Sequence, residues 1–394
     1  MPQWKQYSGI WTPTQQAQAL AAGTWTGIPS YSGFVWGFNS AGELGQDDRI
    51  NRSSPTQIGA LTTWLQLTGA YETKYGVFED NTFYSWGNNG SGRLAQGDII
   101  KRSSPTQVGA LTNWLSVSGG QECTGSVKTD GTLWTWGANG YGNLGHNNTT
   151  SLSSPVQVGS DTDWQTPVGA RRAIFCIKTD GSLWAIGGQN TYGQLGLSLD
   201  EFARVSSPTQ VGAGTDWYKL SGWGYATAAI KTDGTLWTWG YNSYGQLGSN
   251  IGSPALEARS SPVQIGADTD WAEVSVGNAY VLATKTDGTL WSWGRGNING
   301  QLGQNNNINY SSPVQIGALT TWTNVKMLVR GGGLASKTDG SLWAWGYNFY
   351  GEITGIGGNV GDVSSPVQIG SDTYWSLENV EPRTSPAALK ITYS

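Results

Sequence analysis

The chain has 394 residues, of which only 12% are charged, and a formal net charge of −5. That composition leaves no electrostatic footprint for nucleic acid, which needs a clustered basic face. Two cysteines and a single histidine argue against a disulfide framework and against a His/Cys metal centre.

Residues 1–30 stand apart from everything that follows. "MPQWKQYSGIW" lacks the apolar core of a secretory signal, and no later stretch reaches the length of a membrane span. "WTPTQQAQALAAGTW" carries helix punctuation. Thr12 suits the N-cap, Pro13 the first helical position, Gln15 completes a capping box and Gly23 is a natural terminator. The pattern predicts a helix over about 13–22, too short to hold on its own. It must dock on the rest of this chain or on another, and Trp4, Tyr7, Trp11, Leu20 and Trp25 supply the apolar surface for assembly.

From residue 31 onward the sequence is periodic. A phrase of the form Ser-Ser-Pro-x-Gln-x-Gly begins at Ser53, Ser103, Ser153, Ser206, Ser260, Ser311 and Ser364. A period near fifty residues means one supersecondary unit repeated. A tryptophan opens each unit at Trp64, Trp114, Trp164, Trp217, Trp271, Trp322 and Trp375, and a Trp-Gly or its equivalent ends at Gly37, Gly87, Gly137, Gly187, Gly240, Gly294 and Gly346.

Each unit reads as four short strands. In "TLWTW", Trp134 and Trp136 project to one face and Leu133 and Thr135 to the other. Asp130–Gly131 and its equivalents at 180, 233, 287 and 339 predict a hairpin with a two-residue type I′ turn. Proline at the head of the last phrase suits a strand start or a sheet edge. The repeat lysines, such as Lys128 and Lys178, read as solvated turn residues with their stems laid over the sheet. The aspartates of "SDTDW" read as Asx-turns. Cys123 and Cys176 fall at different offsets from the repeat lysine, so two buried thiols are expected rather than a disulfide. Most of the 22 tryptophans are explained as core. A buried indole covers about 150–250 Å², worth on the order of 4–6 kcal/mol gross.

The ends complete the count. The last unit holds only a first pair of strands, "WSLENV" and "AALKITYS", while "FVWG" and "SSPTQIG" near the start supply a third and fourth. The fold class is therefore all-β: a seven-bladed β-propeller over residues 31–394, its closing blade shared between the termini, preceded by the short helical segment. Sharing that blade removes the edges an open array would expose.

"KTDGTLWTWGANGYGNLG" and "KTDGTLWTWGYNSYGQLG" resemble the repeat of the regulator of chromosome condensation family. The resemblance implies a seven-bladed propeller. Two activities known in that family lack their phrases here. The Gly-x-x-His after the first strand, tied to nucleotide exchange on a nuclear GTPase, is replaced by sequences such as "GAYET" and "GNAYV". The Gly-Trp-Arg-His-Thr of the plant ultraviolet-B receptor is replaced by "GWGYAT". Separately, "YSGIWTPTQQAQALAAGTW" resembles N-terminal segments of structural proteins of tailed bacteriophages.

Catalytic machinery is not expected. His146 is the lone histidine, no nucleophile elbow occurs, and no carboxylate pair stands out from the repeat. No cofactor and no metal are expected. Function should lie where the repeats differ, in the segments between Gly-x-Leu-Gly and Ser-Ser-Pro, which all emerge on one face. The candidate binding residues there are Asp47, Arg49, Lys101, Arg102, Glu201, Arg204, Asn305, Asn307, Tyr310 and Asp362. These features point to a non-enzymatic structural or recognition protein, read first as a tailed-phage virion component that binds other virion proteins or a host surface receptor or glycan. A bacterial surface or secreted adhesin or lectin is the alternative, and an exchange factor or light sensor comes after both. Neither nucleic-acid binding nor membrane insertion is expected.

Overall fold

The computed structural model describes residues 29–393, apart from 61, 189, 202, 250–256, 297–298 and 354–360. The helix expected over about 13–22 lies outside the described residues, as do Trp4, Tyr7, Trp11, Leu20 and Trp25.

The repeats fold as seven antiparallel sheets arranged as blades. The first blade pairs Trp64–Gly69, Thr73–Phe78, Phe83–Gly87 and Arg102–Gln107 in order, and five more follow with the same succession. The closing blade joins Trp375–Ser376, Ala387–Tyr393, Pro29–Gly37 and Arg52–Gln57. Its central ladder runs from Pro29↔Tyr393 to Val35↔Ala387, so the two ends of the chain meet in mid-sheet as the repeat count requires.

The first strands of the first six blades, with residues 378–381 and 383 after the short seventh one, line a central channel. The turns between first and second strands and the long connections between third and fourth share one side of the disk, the loop face. Hairpin turns and blade-to-blade connections share the other, the hairpin face.

Tryptophans fill the wedges between blades. Trp114 and Trp136 are buried with Phe83 of the preceding blade, ring centroids 5.5 and 5.7 Å from it, while Leu133 packs in the next wedge, as the alternation predicts. Both cysteines are buried and free, and burial pushes each thiol up to about 12.

The hairpin turn differs from expectation. Gly131 has φ +78° while Asp130 stays out of the left-handed region, Gly131 N–H bonds the Lys128 carbonyl at 2.9 Å, and Lys128 N–H bonds Thr132 O at 3.0 Å. This is a three-residue loop, a type I turn closed by a left-handed residue, not a two-residue I′ turn. Asp130 is held by its own task. Its carboxylate accepts from Thr132 N–H and Oγ1, at 3.0 and 2.7 Å, and that hydroxyl in turn accepts from Trp134 Nε1 at 2.8 Å.

The repeat lysines are not solvated. Lys128 lies 4.8 and 3.7 Å from the Trp114 and Trp134 rings, a cation–π cage. Lys178 occupies the same cage and also meets Asp161 and Asp163 at 2.5 and 3.1 Å. Lys285 repeats this with Asp268 and Asp270. The aspartates before the first strand thus serve as counter-ions to the caged lysine.

The closing blade departs from the repeat at one place. After Ser376 the chain leaves its sheet and crosses the loop-face end of the channel. Val380–Glu381 pairs in parallel with Leu67 and Thr68 of the first blade. Thr384 Oγ1 donates to Ala70 O at 3.1 Å, and the buried Lys74 ammonium donates to the carbonyls of Pro382 and Ser385, the latter at 2.7 Å. Arg383, with φ +59°, reaches across the axis to the carbonyls of Gly169 and Gly222, 3.4 and 3.3 Å away on the third and fourth blades. The channel is therefore closed on the loop face.

Candidate functional site

The loop face is built around a buried asparagine in six of the seven long connections, the fifth blade having Gly296 in that place. Asn39 Oδ1 accepts the Leu44 N–H at 2.8 Å and its Nδ2 donates to Ile50 O at 3.0 Å, and Asn89, Asn139, Asn190, Asn242 and Asn348 stand in the equivalent places. One side chain thus fixes the entry and turn of a loop of a dozen residues. Its sequence signal, an asparagine shortly after the Gly that ends the third strand, recurs in the chain.

The candidate residues named from sequence divide by position. Asp47 and Asn305 take positive φ (62° and 58°), and their N–H groups bond Ser103 O and Ser364 O of the next blade, both at 2.8 Å. They sit at seams between blades. Arg102 pairs with Asp98 at 2.9 Å, holding its own loop, as Arg52 does with Asp48. Tyr310 is half-buried and its hydroxyl accepts from Asn306 Nδ2 at 2.9 Å. Asp362 Oδ1 accepts the Asn348 N–H at 3.0 Å. Arg49, Lys101, Glu201, Arg204 and Asn307 are exposed. The exposed apolar side chains Ile50, Ile99, Ile100 and Ile308 lie among them at the loop tips. The structure does not bring the ten together at one spot.

What it does gather is a ring of arginines and aromatics nearer the axis, of which sequence reasoning named only Arg204. Arg171 lies over the Tyr225 ring at 4.5 Å, and Arg172 over Tyr141 at 4.4 Å while its Nε pairs with Glu122 at 2.9 Å. Arg204 approaches Tyr141 from the other side at 5.2 Å. Arg295 covers Tyr244 at 4.7 Å, and Arg330 covers Phe38 at 3.9 Å. The rings also touch each other: Tyr192 packs on Tyr225 and Tyr241 at 5.0 and 4.6 Å, and Phe38 on Tyr350 at 4.8 Å. These residues come from first-to-second turns and the starts of long loops in different blades, so only the fold assembles them. Arginine stacked on an aromatic keeps its charge while presenting a stiff, partly apolar surface.

The hairpin face carries charges of its own, the turn aspartates Asp130, Asp180, Asp233, Asp287 and Asp339 and the counter-ion aspartates of the caged lysines.

His146 is half-buried beside Thr135, whose hydroxyl is 3.0 Å from Nε2, and burial holds the imidazole below its usual range. Among the described residues, no three His, Cys, Asp or Glu side chains gather as a metal site.

The profile of the regulator of chromosome condensation (RCC1) repeat matches residues 80–127, 130–168, 233–284 and 287–332. Just under half of the chain is thus similar to RCC1 repeats. The chain is 30% identical over 185 residues to the ultraviolet-B receptor UVR8 of Arabidopsis thaliana, covering 46% of this chain and 40% of the receptor. It is 33% identical over 160 residues to the mitochondrial RCC1 domain-containing protein RUG3 of the same plant, covering 39% of this chain and 35% of that one. The chain thus matches well under half the length of these curated relatives.

Solved structures superpose over almost the whole chain. Yeast RCC1 (Prp20), solved bound to Kap60, has a TM-score of 0.79 at 16% identity, covering 94% of this chain and 90% of that one. Human WBSCR16 has a TM-score of 0.77 at 19% identity, covering 92% and 100%. At these identities the likeness is one of fold.

Proposed function

We propose that this RCC1-repeat propeller is a non-enzymatic recognition protein that binds a protein partner through its loop face. The carrying observation is the ring of arginines laid on aromatic rings around the axis, bordered by exposed isoleucines. Arginine and tyrosine are the side chains that most often anchor protein interfaces, because they combine area, rigidity and directional hydrogen bonds. The arginines of this ring favour an acidic group on the partner. Absence of chemistry is part of the same reading: both thiols are sealed and the lone imidazole is tied to Thr135.

The narrower reading is a structural component of a tailed-phage particle. Its support is the resemblance of residues 7–25 to phage structural segments. Pro29 begins the third strand of the closing blade at the hairpin face. An attachment made by the residues before it would therefore leave the loop face pointing outward, toward a partner or host surface.

Full-length protein should be tested in paired pull-downs with the variants Arg171→Glu/Arg172→Glu and Asp130→Lys/Asp180→Lys. Partners retained by the wild type should be lost with the arginine variant and kept with the aspartate variant, both remaining folded by circular dichroism. The opposite pattern would assign binding to the hairpin face. For the narrower reading, the chain should be found by mass spectrometry in purified particles, and deletion of residues 1–28 should remove it from them. Particles that incorporate the shortened chain equally well would sink the attachment role.

A further inference from the structure

The axial channel is a blind well. It is open on the hairpin face and closed at the other end by the crossing segment with Arg383, and its volume is about 560 Å³. That lies within the range of small-molecule sites, about 300–1,000 Å³.

Its wall is of two kinds. On the side of blades four to seven the charges alternate. The Lys219 ammonium meets the Glu273 carboxylate and the Ala272 carbonyl, Lys326 pairs with Glu381 at 3.0 Å, and Arg383 stands 3.9 Å from Glu381. The wall from blades one to three is uncharged, with Gln66 and Thr166 among its hydrogen-bonding groups.

The scaffold does not require Lys219, Glu273 or Lys326 to be charged. Four residues after the opening tryptophan, the repeat places a hydroxyl that ties neighbouring inner strands together. Ser118 Oγ accepts from Gly169 N–H, Ser221 Oγ from Val276 N–H and Ser275 Oγ from Met327 N–H, at 2.9–3.0 Å. Lys326 replaces that hydroxyl in the sixth blade. Two residues after the tryptophan the repeat has Gln66, Ser116, Thr166 and Asn324, where the fourth and fifth blades put Lys219 and Glu273. Charges that the fold can do without have been concentrated along one arc of the well.

Deep in the well three cations meet two carboxylates, and the third carboxylate of the lining, Glu378, is solvent-exposed at the mouth, where water screens it. Arg383 is 2% exposed and its Nε–H has no acceptor among the described residues. An unmatched charge in a partly desolvated cavity is costly, and a monoanion relieves it.

We propose that this well binds a small hydroxylated monocarboxylate of the sugar-acid class. The carboxylate would lie against the Lys219–Lys326–Arg383 arc, and the hydroxyls would face the amide and hydroxyl groups of blades one to three. The site is independent of the loop face, which lies at the other side of the disk.

Isothermal titration of the full chain at low ionic strength with D-glucuronate, and with D-glucose as its uncharged counterpart, tests this. Two variants at the wide end of the well, Lys219→Met and Thr166→Trp, keep the fold, which circular dichroism checks. Glucuronate should bind once per chain, with affinity lowered about tenfold or more in each variant and for glucose. No saturable heat with glucuronate, equal binding of glucose, or binding undiminished in Thr166→Trp would overturn the proposal.

Discussion

Trp86 Nε1 donates a hydrogen bond to the backbone carbonyl of Glu43, 3.0 Å away in the neighbouring blade. The same bond recurs around the ring: Trp36 to Glu352, Trp136 to Arg93, Trp239 to Gln194, Trp293 to Gln246 and Trp345 to Gln301, at 2.7–3.0 Å. Only the third blade, with Ile186 in that place, lacks an indole to donate. The indole lies so close to the loop that at Gly45 a Cβ would stand 2.8 Å from Trp86 Nε1. Blade-to-blade cohesion therefore combines a large apolar surface with a directional bond.

Trp86→Phe keeps most of the apolar area but leaves the buried Glu43 carbonyl without its donor. The expected cost is about 1–3 kcal/mol. Trp134→Phe should cost less, because the Thr132 hydroxyl that its indole bonds keeps its own bond to Asp130. Urea midpoints of the two variants compare them, and equal losses would refute a special role for the inter-blade bond.

Glu43 itself predicts a pH dependence. Burial raises its carboxyl from 4.5 to about 7. An acid whose folded pKa lies above its unfolded value helps folding while protonated. Its contribution is complete below the unfolded pKa and is lost as pH rises through the folded one. Between pH 5 and 7 the loss is about 2 kcal/mol, at about 1.4 kcal/mol per unit. Burial raises Glu352 in the same sense. Gln194 and Gln246 fill the equivalent position in other blades and accept the same type of loop N–H, at 2.9 and 3.0 Å. Glu43→Gln/Glu352→Gln should therefore flatten the fall in melting temperature between pH 5 and 7. Lys74, pulled down to about 7 by burial, opposes the trend only as pH rises above 7. A double variant that keeps the full wild-type slope would show that these carboxyls are not the cause.

Arg383→Met should weaken the ring on the side opposite its own blade. Val168 stands where other blades carry the inter-strand hydroxyl, and the guanidinium bridges that seam through Gly169 O and Gly222 O. Removal also leaves Glu381 with Lys326 as its remaining charged partner. The expected loss is about 3 kcal/mol. Hydrogen exchange should show the new protection deficit in the third and fourth blades. A deficit confined to residues near 383 would rule out the bridging role.

Asn113→Asp offers a gain. Asn113 precedes Trp114 where the third and fifth blades have Asp163 and Asp270, each 3.1 Å from its caged lysine. A carboxylate there should pair with Lys128 and stabilise by about 0.2–1 kcal/mol. Salt should erase the gain. A thermal shift that persists in 1 M salt would point to some other cause.

The blades, their number and their closure were readable because a repeated strand needs a repeated pattern, and seven copies average away local ambiguity. Burial of Trp136 opposite Leu133 followed from alternation alone. The hairpin type did not, since Asp-Gly serves both a two-residue turn and the last two positions of a three-residue one. The lysine cage was missed because its walls, Trp114 and Trp134, sit on different strands. Arg383 was invisible for a deeper reason, since it does not repeat and joins blades far apart in the ring, and the Arg171–Tyr225 contact because its two residues break the repeat at different places in successive units.

The closure has a mechanical consequence. Pro29 and Tyr393 are partners at the same end of an antiparallel ladder. A force that draws those two points apart loads one rung at a time, so the ladder peels rather than shears. A ring that heat must melt as a whole would thus open under modest tension at a single seam, with the other blades still folded. Any tether applied at both of these points would make the closing blade the fuse of the structure.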